Sequence, residues 1–136
     1  MQRDLDDAEY RALAEFRFFI RQFMHFSEQE ARAHGIEPQQ HQALLALRGL
    51  PEGTRPTVSE LAARLLIKHH SAVELVDRLE RRGAVERVHG NGDQREVLVQ
   101  LTNSGRRVLR ELAVIHRAEL ERAAPELARA LRKVAA

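Results

Sequence analysis

The apolar residues of one central segment recur at intervals of three and four, the spacing that places them on one side of a helix. The segment runs from about Lys68 to Arg82. Its apolar stripe consists of Ala72, Leu75, Val76 and Leu79. Polar residues fall on the opposite side, with Val73 and Arg78 on the flanks; they are His70, Glu74, Asp77 and Arg81. The pattern predicts a helix that packs one side on a core and presents the other side to a partner.

A shorter helix is predicted just before this one, over about Val58–Leu66. Thr57 and Glu60 have the spacing of a capping box, in which each residue satisfies a backbone N–H of the other. A turn of three or four residues then leads into the Lys68 helix. Two short helices joined in this way form a helix-turn-helix pattern.

After Gly83, which is expected to end the Lys68 helix, the spacing of the apolar residues changes from helical to alternating. Two short segments rich in valine follow, Ala84–His89 and Glu96–Leu101, and the second alternates apolar with polar residues. Asn91-Gly92 between them is a strong turn sequence. We therefore expect a β-hairpin whose tip carries Asp93 and Arg95.

Helices are predicted on both sides of this region. A long helix over about Asp7–Ala33 comes first, and Pro38 begins another that ends near Leu47. After Thr102, which is a suitable N-cap, a helix is expected over about Asn103–Ala123 with an apolar stripe. Its stripe residues are Val108, Leu112, Ile115 and Leu120. A last short helix over about Pro125–Val134 would turn Leu127 and Leu131 inward. The fold class is thus mainly α with a small β-hairpin.

The first long helix contains all five phenylalanines of the chain. Four of them are spaced 3, 4 and 3 residues apart, so they lie on one stripe: Phe16, Phe19, Phe23 and Phe26. The stripe fits a core or a subunit interface, and it also fits the lining of a pocket for an apolar or aromatic small molecule. Periodicity does not separate these interpretations. The outer helices have stripes too large for one small domain to bury, which favours a homodimer.

The composition says more about the number of domains and the compartment of the protein than about its function. A chain of 136 residues has room for one domain, and it contains no cysteine, so disulfides and thiol redox chemistry are excluded. The apolar runs are too short for a transmembrane helix, and the acidic amino terminus does not resemble a signal peptide. We expect a cytoplasmic protein. The net charge of +2 says little about nucleic acid by itself.

The amino end of the Lys68 helix and the tip of the hairpin are the candidate binding elements. Lys68, His69 and His70 are poor N-cap residues, so the first N–H groups of the helix bind either water or a phosphate. Arg95 is a candidate probe of the minor groove, which attracts arginine where it is narrow; the alternative is a local pair with Asp93. Further along the helix, opposite charges four residues apart predict Glu74–Arg78 and Asp77–Arg81 pairs.

Two motifs in this order resemble the winged helix-turn-helix of the MarR (multiple antibiotic resistance regulator) family. One is Leu-Val-Asp-Arg-Leu-Glu at 75–80, followed by Gly83; the other is the wing signature Asp-x-Arg, three residues, then Val-x-Leu-Thr at 93–102. The resemblance covers nearly the whole chain. It implies a winged helix-turn-helix over 36–102, flanked by dimerisation helices at 1–35 and 103–136, within a single domain of residues 1–136.

The same resemblance implies which residues contact DNA. The motif helix would enter the major groove of a palindromic double-stranded operator, and the wing arginine would reach the minor groove. The residues carried over are Lys68, His69, His70, Ser71, Val73, Glu74, Asp93 and Arg95. Glu74 departs from the basic or neutral residue that many members have; it can accept a hydrogen bond from cytosine N4, but it also repels phosphates.

No catalytic pattern appears in the sequence. The seven histidines show no metal-ligand spacing, and there is no phosphate-binding loop or nucleophile elbow, so no metal, cofactor or enzymatic activity is expected. The resemblance implies a homodimeric transcription regulator, most often a repressor, released by a lipophilic or phenolic effector held between the dimer helices and the winged region. The alternative is a winged-helix module whose Glu74 and Asp77 face binds a partner protein.

Overall fold

The computed structural model describes residues 3–90 and 96–136. Five helices and one two-stranded sheet occupy this part of the chain. They are α1 (Asp7–Ala33), α2 (Pro38–Arg48), α3 (Val58–Leu65), α4 (His69–Arg81), β1 (Val85–His89), β2 (Val97–Leu101) and α5 (Asn103–Ala135). The mainly helical fold with a small hairpin is therefore confirmed, and as far as the start of α5 each boundary lies within one residue of its expected position.

The N-caps predicted at Thr57 and Thr102 are confirmed, but only half of the capping box predicted for α3 forms. The other half is missing because Thr57 N–H donates to Arg55 O and the Glu60 carboxylate pairs with Arg64 at 3.2 Å. The side chains of Asp6, Thr57 and Thr102 each accept a hydrogen bond from the backbone N–H three residues on, at 2.9, 3.1 and 3.1 Å. These bonds satisfy N–H groups that the first turn of a helix leaves without a partner. Lys68, the N-cap of α4, has no such side-chain bond, as its residue type predicts.

The core of the protein is built around α2, which contacts α1, α3, α4, α5 and β2. The largest fully buried apolar side chains come from α2, α3, α4, α5 and both strands; they are Leu44, Leu61, Leu75, Val76, Leu79, Val85, Val99 and Leu112. Burying each leucine contributes about 2 kcal/mol. Because α4 supplies two of these leucines, the core fixes which side of α4 faces outward.

The turn between α3 and α4 contains an unusual backbone conformation. Leu66 caps α3 with φ 56° and ψ 42°, in the left-handed region. Its conformation lets the N–H groups of Leu66 and Ile67 reach back to the last turn of α3, where Ile67 N–H donates to Ala62 O at 3.0 Å. Glycine or asparagine adopts this conformation readily, whereas a leucine there costs about 1–2 kcal/mol.

The hairpin packs against the loop before α3. β1 and β2 pair antiparallel in a register that runs from Val85 opposite Leu101 to His89 opposite Val97. On the outer edge of β2, Val99 N–H donates to Pro56 O at 2.8 Å. The predicted tip, with Asp93 and Arg95, lies outside the described residues. The base of the hairpin is thus fixed both to the core and to the helix-turn-helix.

The predicted break at Pro125 is wrong, because α5 continues through it to Ala135. A proline inside a helix removes one hydrogen bond and crowds the carbonyl four residues back, at a cost of about 3 kcal/mol. Beyond the proline α5 still packs along α1: Ala130 is buried, and Lys133 Nζ lies 3.8 Å from Glu15 Oε2. Leu131, expected to point inward, is instead 51% exposed.

Candidate nucleic-acid interface

The orientation of α4 agrees with the sequence pattern. Its four predicted stripe residues, Ala72, Leu75, Val76 and Leu79, are all at most 1% exposed. His70, Glu74 and Arg81 on the opposite side are exposed. Because the core packs against the stripe, the exposed residues of the outward side, His70 and Glu74 in the amino half of α4, are accessible to a partner.

The amino-terminal turn of α4 brings most of the predicted site residues together. Lys68, His69, His70 and Glu74 are exposed, and Ser71 and Val73 are half-buried at the edge of the same surface. The Lys68 side chain makes no capping hydrogen bond at this end of the helix, where the helix dipole and the first N–H groups favour an anion. A lysine, two histidines and a hydroxyl around such a helix end form a surface that suits a phosphate backbone.

Ser59 joins this surface although the sequence pattern does not single it out. Its hydroxyl lies 3.5 Å from Nδ1 of His69, so it connects the first turn of α3 to the start of α4. Ser59 is exposed. The two residues are ten positions apart, and only the angle between the two helices brings them together. The candidate interface therefore includes the start of α3 as well as α4.

The two charge pairs predicted along α4 do not form in the described part of the chain. Asp77 and Glu80 instead bind Arg87 of β1, each at 2.7 Å. Burial alone would lower the pKa of Arg87, but the hydrogen bonds that its guanidinium donates to these two carboxylates raise that pKa above its ordinary value. Arg81 Nε–H donates to the backbone carbonyl of Asp77 at 3.4 Å and not to its carboxylate. These contacts fix the hairpin against the carboxyl half of α4. They do not involve the amino half of the helix.

The wing is joined to the helix-turn-helix at its other side as well. Arg55, in the loop between α2 and α3, forms an ion pair with Glu96 just before β2. Asp93 and Arg95 lie outside the described residues, so their roles remain the sequence prediction. The described contacts nevertheless fix both strands that lead into the tip.

The phenylalanines of α1 border two cavities. Phe19, Phe23 and Phe26 line the first, about 400 Å³ between α1 and α5, which we call cavity A. Phe23 also lines cavity B, about 540 Å³ between α1, α2 and α5. Phe16 lines neither of them. All four predicted residues are half-buried, so none is a fully buried core residue, and three of them line cavities that are partly open to solvent.

A buried polar cluster that no pattern along the sequence indicates forms part of the wall of cavity B. His116 Nδ1 lies 2.7 Å from Leu112 O, and its Nε2 lies 2.8 Å from the Ser27 hydroxyl. In the neutral ring this fixes Nδ1–H as the donor and Nε2 as the acceptor. The ring of His41 lies 4.9 Å from that of His116. The cluster thus connects α1, α2 and α5 at one point.

Burial lowers the pKa of His41 to about 4, and the neighbouring His116 acts in the same direction. We expect this residue to make the fold acid-sensitive. The full contribution is present above pH 6.5, where His41 is neutral in both states, and is lost as the pH falls from 6.5 towards 4, because only the unfolded chain binds the proton. The loss is about 3 kcal/mol at most.

Urea unfolding at a series of pH values between 7.5 and 4.5 would measure this loss. His41→Gln should flatten the dependence, while the same change at the exposed His25 should not. A slope that is identical in the wild type and in His41→Gln would contradict the assignment.

Other kinds of site find no support in the described residues. In residues 3–90 and 96–136 there is no group of three or more His, Asp or Glu side chains that could hold a metal ion. Within the same ranges, no helix has both the length and the apolar character that crossing a membrane requires.

Sequence comparison identifies relatives of the chain. A family model described as "MarR family" matches residues 34–96, the segment from the end of α1 to the start of β2. The HTH-type transcriptional regulator YkoM of Bacillus subtilis is 30% identical over 118 residues, which is 83% of this chain and 73% of YkoM. The similarity therefore extends beyond the helix-turn-helix into both long helices.

Solved structures of MarR family regulators are also similar to this chain. AbsC, a MarR family transcriptional regulator from Streptomyces coelicolor, superposes with a TM-score of 0.75 at 25% identity, over 93% of this chain and 84% of AbsC. CouR from Rhodococcus jostii, solved with p-coumaroyl-CoA, has a TM-score of 0.64 at 25% identity over 74% and 69%. MepR of Staphylococcus aureus, solved with DNA, shares the fold with a TM-score of 0.64 at 22% identity over 80% and 77%. Taken together with the geometry of α4 and the hairpin, these similarities show that the chain belongs to the MarR family of winged helix-turn-helix transcription regulators and is not an enzyme.

Proposed function

We propose that the chain acts as a homodimeric repressor that binds a palindromic double-stranded operator and releases it when a small lipophilic or aromatic effector binds. The observation that carries this proposal is the arrangement of α4. Its apolar stripe is entirely buried, and its uncapped, exposed amino end carries Lys68, His69, His70 and Ser71. That end is the part of a recognition helix that reads the major groove.

Each side chain at this end has a role that its chemistry allows. Lys68 would bind phosphate through its charge, and the Ser71 hydroxyl and the first N–H groups of α4 would donate to phosphate or base oxygens. His69 and His70 would donate or accept at base edges, Val73 would contact a thymine methyl, and Glu74 would accept from cytosine N4. Arg95 would enter the adjacent minor groove, with Asp93 steadying the tip.

The dimer is supported by apolar side chains on the terminal helices. Several are more than half exposed although they are large and apolar; they are Tyr10, Phe18, Val114 and Leu131. Exposure of this kind over two long helices is typical of a surface that a partner covers. We assign dimerisation to residues 1–35 and 103–136 and DNA binding to 36–102. Two recognition helices held about one helical turn of DNA apart, about 34 Å, would then match the two halves of a palindrome.

The effector site that we propose comprises cavities A and B, with Phe19, Phe23 and Phe26 in their walls. Phe16 lies on the same stripe, and we assign it to the dimer surface instead. Cavity B is bordered both by the terminal helices α1 and α5 and by α2 of the winged region. A ligand there would favour one angle between these parts, and hence one spacing of the recognition helices. The p-coumaroyl-CoA bound by CouR is consistent with an aromatic effector.

A thermal-shift panel of aromatic acids and neutral phenols would test the effector. We expect at least one compound to raise the melting temperature and to release operator DNA at the same concentration, because a ligand that binds only the folded protein stabilises it. Phe23→Ala should weaken the response, since this ring borders both cavities. A panel that gives no shift and no release would indicate a regulator without this kind of effector.

Fluorescence anisotropy on duplex DNA from the promoter beside the gene would test the DNA binding itself. We expect Arg95→Ala to weaken binding about tenfold, through loss of a minor-groove contact. Raising the salt from 50 to 200 mM should weaken wild-type binding by a further large factor, because phosphate contacts release counterions. Arg110→Ala, an exposed arginine on α5, is the matched control. Binding that is insensitive to salt and to Arg95→Ala would overturn the proposal.

The alternative of a protein-interaction module depends on an acidic face formed by Glu74 and Asp77. Asp77 is paired with Arg87 at 2.7 Å, so only one of the two carboxylates remains for a partner protein. The basic and hydroxyl-bearing end of α4 also suits an acidic partner better than a basic one. These contacts favour DNA over a protein partner.

A further inference from the structure

Leu66 is the most exposed large apolar residue in the described part of the chain. Its side chain is 91% exposed, whereas the next, Val114, is 64% exposed and lies on α5. Most of the others also lie on the terminal helices, where a dimer surface accounts for them. Leu66 lies in the turn of the helix-turn-helix, so neither the core nor the terminal helices account for its exposure.

The backbone conformation of Leu66 is also unfavourable for a leucine, so a role in folding does not explain why a leucine is there. It is the single residue other than glycine that has a positive φ among residues 3–90 and 96–136. Glycine or asparagine would form the same cap on α3 with less strain. The leucine side chain therefore stabilises the fold neither by burial nor by its local conformation.

The position of Leu66 relates it to the surface already described. It comes two residues before Lys68, the N-cap of α4, and His69 at the start of α4 lies against Ser59 of α3. An apolar side chain beside a phosphate-binding helix end is suited to one feature of the major groove, the methyl group of thymine. Contact with this methyl group would remove the exposed side chain from water.

We propose that Leu66 is a specificity residue that packs on a thymine methyl group of the operator. This inference rests on the proposed DNA binding by the amino end of α4, and it adds a preference for thymine at one position of each half-site. The strain at Leu66 is then retained because the side chain acts in the complex rather than in the free protein.

Leu66→Gly distinguishes this role from a structural one, because the two roles predict changes of opposite sign in the melting temperature. We expect the variant to melt at a higher temperature than the wild type and yet to bind the operator about fivefold more weakly. The slope of affinity against salt should not change, since no charge is lost. Leu66→Asn gives the same test with a second residue that accepts this conformation. Leu66→Met, which keeps an apolar side chain, should bind within about twofold of the wild type.

The thymine itself is tested on the palindrome that the wild-type protein selects from random duplexes. Replacing each thymine in turn by deoxyuridine removes only the methyl group. At one position per half-site, we expect this replacement to weaken the wild type about fivefold and to leave Leu66→Gly unaffected. The inference would be overturned if, at every thymine, the loss of affinity caused by deoxyuridine simply added to the loss caused by Leu66→Gly. It would also be overturned if Leu66→Gly bound the operator as tightly as the wild type. If the wild type selects no duplex at all, the proposed function fails instead.

Discussion

Replacing Gly105 by alanine should destabilise the protein by about 3 kcal/mol, the largest effect that we expect from a single methyl group in this chain. A Cβ at this position would lie 2.0 Å from the carbonyl oxygen of Ala84 and 3.0 Å from its carbonyl carbon. Both are backbone atoms, so no side-chain rotation relieves the clash. The first turn of α5 would have to move away from the start of the hairpin.

Three hydrogen bonds at this junction would be lost or lengthened by such a movement. Thr102 N–H donates to Ala84 O at 3.0 Å, the Thr102 hydroxyl donates to Gly83 O at 2.5 Å, and Gly105 N–H donates to that hydroxyl at 3.1 Å. The junction connects the end of α4, β1 and the start of α5. Its loss would therefore loosen the attachment of the winged region to the carboxyl-terminal helix.

Urea or thermal unfolding at one fixed protein concentration would measure the effect, with a fall in melting temperature of about 10 °C expected. Gly49→Ala is the matched control. A Cβ there meets the Leu45 carbonyl at 3.1 Å, and the backbone has an ordinary negative φ of −101°. That variant should change stability by less than about 1 kcal/mol. Equal effects of the two substitutions would show that the close contact at Gly105 is relieved at no cost.

The comparison of sequence with structure shows which interactions a pattern along the chain can reveal. The stripe of α4 and the caps at Thr57 and Thr102 depend on residues within one or two helical turns, and they are found where the sequence predicts them. The prediction of a helix break at Pro125 relied too heavily on that one residue. The run of small and apolar residues continues past it with helical spacing, through Leu120, Ala123, Leu127 and Ala130. That spacing was a usable signal for a continuous helix.

The remaining differences arise from contacts between elements that are distant in sequence. Asp77 pairs with Arg87 rather than with Arg81, because the hairpin folds back on α4 and offers a guanidinium group that two carboxylates share. The cluster of Ser27, His41 and His116 spans 89 residues of sequence. Histidine spacing along the chain gives no sign of it, since each residue comes from a different helix. Neither arrangement could be predicted without knowing how the helices pack.

Ser71→Asp should nearly abolish operator binding while slightly stabilising the protein. Ser71 is the third residue of α4, in the first turn of a helix that has no acidic residue there. A carboxylate in this position interacts favourably with the helix dipole, by about 0.5 kcal/mol. In a complex with DNA the same carboxylate would face phosphates and would replace a hydroxyl donor. At a separation of about 4 Å the repulsion is on the order of 3 kcal/mol, about a hundredfold in affinity.

Ser104→Asp is the matched control, because it places the same carboxylate in the first turn of another helix. Ser104 is the second residue of α5 and is exposed. The preceding Thr102 binds Gly83 just beyond the carboxyl end of α4, and the 13 residues of α4 span about 20 Å. The control should therefore gain similar stability and keep operator binding within about threefold.

Anisotropy titrations and thermal melts of both variants give two independent readings. A general loss of structure would lower the melting temperature of Ser71→Asp together with its affinity. A folded protein that melts at or above the wild-type temperature and no longer binds the operator would place a phosphate at the amino end of α4. If Ser71→Asp binds as tightly as Ser104→Asp, that end of the helix does not face the DNA backbone, and the contact must lie with the wing and Arg95 instead.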